Sequence, residues 1–141
     1  MLKFPRETVD SHITRIYAFG TELMYLVEGN EKNVLIDTGS GFGSLKSAVD
    51  EVLAAHGNTN PLAVLLTHGH VDHANGSSEF VNAGIPVYLS EKDRYIYLQH
   101  SDDAFRKGGL GIEEFEGHGT YVEAEDYIPS VSYTHLRAHE T

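Results

Sequence analysis

Apolar, aromatic and β-branched residues concentrate in two stretches near the amino terminus, Ile13 to Phe19 and Glu22 to Glu28. Gly20 and Thr21 separate the two stretches, so the pattern predicts a β-hairpin. After a turn at Gly29-Asn30, Asn33 to Asp37 predicts a third strand. This strand runs into a glycine-rich segment, which lets the backbone pass close to a site.

The spacing of apolar residues then changes from that of a strand to that of a helix. Apolar residues recur at i, i+3, i+4, i+7 and i+8, at Leu45, Ala48, Val49, Val52 and Leu53. This stripe predicts an amphipathic helix that covers one face of a sheet. Ser44 is the predicted cap and Gly57 the predicted stop.

Strands and helices alternate in the next part of the chain. The apolar run Pro61 to Leu66 predicts a buried fourth strand, and Ser77 to Ala83 predicts a short helix. Pro86 to Leu89 predicts a fifth strand, and Ser90 is expected to cap a helix that continues to about Gln99. A run of strands followed by alternating strands and helices indicates an α/β fold.

A dense histidine cluster follows the predicted fourth strand. His68, His70, Asp72 and His73 place three imidazoles and a carboxylate within six positions. Imidazole nitrogen with a carboxylate oxygen suits zinc better than calcium or copper. An irregular turn could aim one pair of ligands at each of two neighbouring ions. Open α/β sheets bind ligands at the carboxyl ends of their strands, where this cluster is predicted to lie.

The H-x-H-x-D-H pattern after an apolar strand, preceded by Val34-Leu35-Ile36-Asp37-Thr38-Gly39, resembles the metallo-β-lactamase superfamily of metal-dependent hydrolases. The resemblance implies that His68 and His70 bind a first metal ion and that Asp72 and His73 bind a second. It implies that Asp37 lies behind these ligands and orients their loop. Two zinc ions are expected, with iron or manganese as alternatives.

The family completes its sites with a third His, a bridging Asp and a last His further along the chain, and this sequence shows none of them convincingly. His118, in Gly117-His118-Gly119-Thr120, does not follow a buried strand, so we predict a solvated loop residue there. His12, His56 and His100 have no supporting context and are predicted to be surface residues. The acidic stretch from residue 101 to 130 either lines a substrate cleft or is a surface excursion.

Residues 131–141, VSYTHLRAHET, match one reading frame of a transposon-type sequencing-library adaptor codon by codon. We expect this segment not to be native, which removes His135 and His139 as ligands. Residues 1–130 are then a partial metallo-β-lactamase-like domain. The fold expected from the resemblance is the amino-terminal half of an αββα sandwich, truncated at about Ser130.

Charge and composition narrow the classes of partner. Ten Lys and Arg against 21 Asp and Glu give a net charge of −11, which argues against a nucleic-acid surface. The chain has no cysteine, so histidine and carboxylate must supply any metal ligands. No apolar run has the length of a signal peptide core or a membrane span, so we expect a cytoplasmic protein with a small-molecule substrate. Its oligomeric state is left open.

The resemblance implies hydrolysis of an ester, thioester, lactone, amide or phosphoester by a metal-bound hydroxide, with no Ser or Cys nucleophile. Asp72 is the expected catalytic residue, because as a ligand it would also orient the attacking oxygen and assist proton transfer. Alternatives remain: a mononuclear iron dioxygenase of the same fold, a nuclease of the superfamily, or a non-catalytic fragment. Flavodiiron oxidoreductases are disfavoured, because they typically carry Glu where this chain has His70. With four of the expected ligands, the 141-residue chain itself is expected to lack turnover.

Overall fold

The structure is a computed structural model that describes residues 4–18, 22–41 and 43–101. For residues 71, 98, 100 and 101 it describes the backbone alone. His118, the acidic stretch from residue 102 to 130 and the segment 131–141 lie outside the described residues. The domain boundary at residue 130 and the origin of the last eleven residues therefore stay predictions.

The described residues form one six-stranded sheet with helices between its later strands. The strands are β1 (Arg6–Thr8), β2 (Ile13–Ala18), β3 (Glu22–Glu28), β4 (Asn33–Ile36), β5 (Leu62–Leu65) and β6 (Val87–Tyr88). They lie side by side in sequence order. Pairings up to β4 are antiparallel, and β4, β5 and β6 are parallel to one another. Each parallel connection contains helix, as the predicted alternation requires.

The first helix, α1 (Leu45–Ala55), connects β4 to β5. Its cap is the predicted one, since the Ser44 hydroxyl accepts a hydrogen bond from the Ser47 amide at 3.2 Å. The five residues of the predicted apolar stripe are all buried. Gly57 follows the helix with a φ of 63°, a left-handed conformation that stops a helix and favours glycine. The periodicity therefore identified both the helix and its buried face.

Three short helices follow: α2 (Val71–Ala74), α3 (Ser78–Asn82) and α4 (Arg94–Ser101). A 3₁₀ turn, Asn75–Ser77, joins α2 to α3, and a second one, Glu91–Asp93, precedes α4. The second half of the histidine segment, which we expected as an irregular turn, thus lies in α2, while His68 and His70 precede the helix. The Ser90 cap was predicted correctly, but it opens the 3₁₀ turn rather than α4 itself. None of the helices in the described ranges is long and apolar enough to cross a membrane.

One hydrophobic core lies between the sheet and α1. In β2 the buried positions alternate with half-buried ones, so Thr14, Ile16 and Ala18 face the core. Leu26, Leu35 and Val64 on the neighbouring strands are fully buried in the same core. The strand order and the parallel register place the ends of β4 and β5 next to each other at one edge of the sheet.

The strand β1 was not predicted from the sequence. It has three residues, all exposed, and it pairs with β2 at the edge of the sheet. Such a strand carries no alternation of buried and exposed side chains, so the hydrophobic pattern contains no signal for it.

A polar network lies at the edge of the sheet opposite the ends of β4 and β5. The fully buried Asn33 donates from Nδ2 to Asn58 Oδ1 at 3.0 Å and to the Asn60 carbonyl at 3.1 Å. Asn58 also donates to Glu28, whose Oε2 lies 2.8 Å from His56 Nδ1. His56, predicted to be a surface residue, is 48% exposed, as expected, and it pairs with a carboxylate that is 9% exposed.

Candidate metal centre

The site lies where β4 and β5 end side by side. Ile36 and Leu65 are partners in the parallel register, so the residues after them, Asp37 and Leu66, continue from the same edge. The Asp37 amide donates to the Leu65 carbonyl at 2.9 Å. β4 ends before Asp37, one residue earlier than predicted, because Asp37 has a φ of 66°, outside the extended region.

The Asp37 carboxylate connects the two sequence motifs. It is 5% exposed, and its Oδ1 accepts a hydrogen bond from the Thr67 amide at 2.7 Å. The Thr67 hydroxyl lies 2.8 Å from Oδ2 and 3.0 Å from Oδ1. His73 Nδ1 lies 2.8 Å from Oδ2. The side chain of Asp37 thus contacts His73 of the predicted ligand set, and its role in orienting a metal ligand stays a prediction.

The backbone of the histidine segment turns through α2. The amides of His73 and Ala74 both donate to the His70 carbonyl, at 3.0 and 2.9 Å. Thr38, one residue after Asp37, donates to the His73 carbonyl from its amide at 2.8 Å and from its hydroxyl at 3.0 Å. Because Thr38 holds the carbonyl and Asp37 holds the ring, His73 is fixed at both ends.

The turn after His73 packs tightly against the glycine-rich segment that follows β4. The Gly76 amide donates to the Gly39 carbonyl at 3.1 Å, and a Cβ at Gly76 would overlap the Thr38 carbonyl oxygen. Asn75 Nδ2 donates to the Ser40 carbonyl, and the Ser40 hydroxyl donates to a Glu22 carboxylate oxygen. Asn75 Oδ1 is buried and has no hydrogen-bond partner among the described residues. These contacts hold the histidine turn against the end of β4.

Gly69, between the first two histidines, packs against the start of α4. A Cβ at this position would lie 2.8 Å from the Tyr97 amide nitrogen and 3.0 Å from the Asp93 carbonyl oxygen. Both atoms belong to the backbone, which cannot rotate away as a side chain can. Only glycine therefore allows this close approach between the histidine segment and α4.

The three imidazoles are close together. The ring centroids of His68 and His73 lie 4.0 Å apart, and those of His68 and His70 lie 4.8 Å apart. Burial lowers the pKa of His68, and the neighbouring imidazoles of His73 and His70 lower it further. The neutral form of His68 is favoured as a result, and neutral imidazole is the form that binds metal ions.

The donor chemistry fits a metal ion, and one distance supports the fit. An ionised Asp37 carboxylate can only accept, so the neutral form of the His73 ring carries its proton on Nδ1 and leaves Nε2 with a lone pair. His73 Nε2 lies 3.5 Å from Asp72 Oδ2. Two ligands of one tetrahedral zinc ion are separated by roughly 3.4 Å, given metal–ligand distances near 2.1 Å. Asp72 and His73 thus have the separation of two ligands that share an ion.

The described side chains do not by themselves complete a metal site. In the described part of the chain, no group of three or more His, Asp or Glu side chains is arranged to hold a metal ion. His68 and His73 are half-buried, whereas His70 and Asp72 are exposed. The structure therefore brings the four predicted ligands onto one turn beside Asp37, and in the described ranges it does not arrange three of them around one point.

The sequence analysis missed several residues that shape this centre: Thr38, Gly69, Asn75 and above all Thr67. Each is a small or polar neighbour of a motif residue and carries no periodic signal. Thr67 had one weak indication, since it is a hydroxyl residue between a buried strand and His68. Its contacts with Asp37 depend on tertiary structure and could not be read from spacing.

Comparisons with known proteins bear on the family and the fold. The sequence profile described as the metallo-beta-lactamase superfamily matches residues 18–136. A probable metallo-hydrolase, YybB of Bacillus subtilis, is 32% identical over 74 residues, which cover 51% of this chain and 32% of that protein. The atrochrysone carboxyl ACP thioesterase of Passalora fulva is 27% identical over 112 residues, covering 79% of this chain and 31% of that protein.

The structure is also similar in fold to a solved metallo-beta-lactamase from Pontibacter korlensis. The TM-score is 0.60 at 21% identity, over 71% of this chain and 49% of that one. The chain thus spans about a third of the length of the curated relatives and about half of this solved structure. The predicted α/β fold of the metallo-β-lactamase type is confirmed. The profile covers well over half of the chain, and the chain therefore belongs to the metallo-beta-lactamase superfamily.

Proposed function

We propose that the histidine turn supplies the first four ligands of a metal-dependent hydrolase centre that holds two zinc ions. His68 and His70 would hold one ion, and Asp72 and His73 the other. The remaining ligands would correspond to parts of the longer relatives that this chain does not match. The relatives named as a metallo-hydrolase and a thioesterase support a hydrolytic reaction.

The observation that carries this proposal is the hold of Asp37 on His73. The ring of His73 has Nδ1 at 2.8 Å from Asp37 Oδ2 and Nε2 at 3.5 Å from Asp72 Oδ2. A carboxylate behind a ligand histidine orients the ring and raises its basicity, and metal sites commonly use this arrangement. His56 and Glu28 form a similar pair at the other end of the sheet, so the contact alone does not identify a ligand. At His73 it is combined with Asp72 Oδ2 at 3.5 Å from Nε2 and with the His68 ring at a centroid distance of 4.0 Å.

A bound zinc ion would supply a Lewis acid and lower the pKa of a water molecule to about 7. The chain's own residues do the rest. Asp72, whose side chain is 55% exposed, is open to solvent and would orient the attacking water and accept its proton, which passes on to the leaving group. Asp37 and Thr38 keep His73 from turning away. The net charge of −11 favours a small-molecule ester, thioester, lactone, amide or phosphoester over nucleic acid.

A second candidate is a metal-binding chain without turnover. It is favoured by one observation: within the described ranges no three donors are arranged to hold an ion. For the 141-residue chain alone we expect this behaviour, because a centre with four ligands for two ions leaves each ion weakly held.

The test is a hydrolysis assay on the 141-residue chain and on the product of the native gene. Both are loaded with zinc, iron or manganese and offered ester, thioester, lactone and phosphodiester substrates. We expect metal-dependent turnover from the native gene product and none from the 141-residue chain. Turnover that survives removal of all metal, or a metal-loaded native protein that hydrolyses none of these bonds, contradicts the proposal.

The matched control is a histidine-to-alanine pair. His68→Ala removes a proposed ligand, whereas His12→Ala removes an exposed histidine at the opposite edge of the sheet, where the His12 carbonyl accepts from the Glu28 amide. Both substitutions are made in the native gene product. Turnover must fall in the His68→Ala variant and persist in the His12→Ala variant. Oxygen consumption with a thiol or persulfide substrate, in place of hydrolysis, would instead identify an iron dioxygenase.

A further inference from the structure

The Thr67 hydroxyl lies between a carboxylate and an imidazole. Its Oγ1 is 2.8 Å from Asp37 Oδ2 and 2.9 Å from His68 Nδ1. Asp37 in turn contacts His73 Nδ1 at 2.8 Å. A continuous path therefore runs from His68 through Thr67 and Asp37 to His73, across atoms that are all within hydrogen-bond distance.

Counting protons assigns the donors along this path. A threonine hydroxyl has one proton to donate, and an ionised carboxylate has none. An oxygen 2.8 Å from a carboxylate oxygen with no proton between them would be repelled, so the Thr67 proton points to Asp37. Thr67 Oγ1 is then an acceptor toward His68, and the proton between them must belong to His68 Nδ1.

We propose that Thr67 is a positioning residue that extends the hold of Asp37 to His68, so that one buried carboxylate sets the tautomer of both His68 and His73. Asp37 acts on His73 directly and on His68 through the Thr67 hydroxyl. Both rings then carry their proton on Nδ1 and present an unprotonated Nε2.

The consequence of this arrangement for metal binding rests on the proposed function, in which His68 binds one ion and His73 the other. The same carboxylate then sets the tautomer of one ligand of each ion. A ring in the wrong tautomer presents N–H where a lone pair is needed, and must exchange its proton before it can bind. We therefore expect loss of the Thr67 hydroxyl to weaken the metal site that contains His68.

The direct test is nitrogen-15 NMR of the histidine side chains in the metal-free 141-residue chain. The spectra are recorded at about pH 8, where an ordinary imidazole is neutral. Long-range proton–nitrogen correlations distinguish the two tautomers of a neutral ring. We expect the Nδ1–H form at both His68 and His73 and an unrestrained mixture at exposed His12. An Nε2–H form or an unrestrained mixture at His68 overturns the proposal without any variant.

Two substitutions separate the hydroxyl from the rest of the side chain. Thr67→Val keeps the branched shape and the bond from the residue 67 amide to Asp37 Oδ1, but removes the hydroxyl. It should release His68 from the Nδ1–H form and leave His73 unchanged. Thr67→Ser should restore the wild-type pattern. Thr8→Val, on the exposed edge strand β1, controls for the substitution itself.

Zinc affinity gives a second readout, measured by competition with a chromophoric chelator. Loss of a residue that orients a metal ligand typically weakens binding by 10–100-fold. We expect about a tenfold loss in Thr67→Val, recovery in Thr67→Ser and no change in Thr8→Val. If the tautomers behave as stated and no chain binds zinc, the proposed function fails and the role of Thr67 in setting the tautomer stands. If His68 keeps its Nδ1 proton in a folded Thr67→Val variant, the role of Thr67 is refuted.

Discussion

Replacing Asp37 with asparagine tests the claim that this one carboxylate organises the site. Asparagine has nearly the same shape and tolerates the left-handed φ of 66° better than most residues, so the backbone should not change. What changes is the number of acceptors. The carboxylate accepts from the Thr67 amide, the Thr67 hydroxyl and His73 Nδ1, whereas the amide group has one oxygen and must turn its NH₂ toward a donor.

The expected loss follows from these contacts. At least one donor is left without an acceptor at a position where the acceptor is 5% exposed, which costs about 1–3 kcal/mol. We therefore expect Asp37→Asn to lower the free energy of unfolding by about 2 kcal/mol. Urea unfolding followed by circular dichroism measures this change as a shift in midpoint with an unchanged slope.

The matched control is Asp50→Asn in α1. The Asp50 carboxylate pairs with Lys46 Nζ at 2.8 Å, but its side chain is 54% exposed. An exposed pair of this kind contributes roughly 0.3–0.5 kcal/mol, so the control should be nearly neutral. Equal losses in the two variants would refute the view that Asp37 has a special structural role.

Three further predictions concern separate parts of the chain. Gly69→Ala should destabilise the fold by about 1–3 kcal/mol and shift the NMR signals of His68, because its Cβ would lie 2.8 Å from the Tyr97 amide nitrogen. Gly57→Ala has open space but a left-handed φ of 63°, so it should also cost stability, by about 1 kcal/mol, while leaving the His68 signals unchanged. Asn33→Ala should lower stability by about 1–3 kcal/mol in urea unfolding and leave zinc affinity unchanged, since Asn33 lies at the opposite edge of the sheet; a change in zinc affinity would contradict this. Sequencing the native gene past the codon for Ser130 should show an apolar strand ending in a Gly-His turn, with an Asp and a His beyond; a genomic frame that encodes residues 131–141 and then stops would contradict the adaptor assignment.

The parts of the fold that depend on local periodicity were predictable from the sequence. The stripe from Leu45 to Leu53 identified α1 with its buried face, and the apolar runs located β2 to β6 within a residue or two. These elements owe their pattern to burial against a core, which repeats along the chain. β1 has no buried side chain, so it left no pattern to detect.

The candidate site was predictable in its motif residues and not in its supporting contacts. The density of His and Asp between residues 68 and 73 exceeds what packing explains, and the resemblance added Asp37. The contacts of Thr67 with Asp37 and of Gly69 with α4 join residues that lie about 30 positions apart in sequence. Such contacts exist only after β4, β5 and α4 have assembled, so spacing alone could not reveal them.

The central claim is that the histidine turn is a metal centre held by Asp37. The most direct measurement is a zinc titration of the metal-free chain, with affinity obtained by competition with a chromophoric chelator. The compared proteins are the wild type, His68→Ala, His73→Ala and the control His12→Ala. We predict that the wild type and the His12 variant bind zinc alike and that each of the other two binds at least about tenfold more weakly. Equal binding by all four proteins, or no binding of zinc, iron or manganese by the wild type, would contradict the claim.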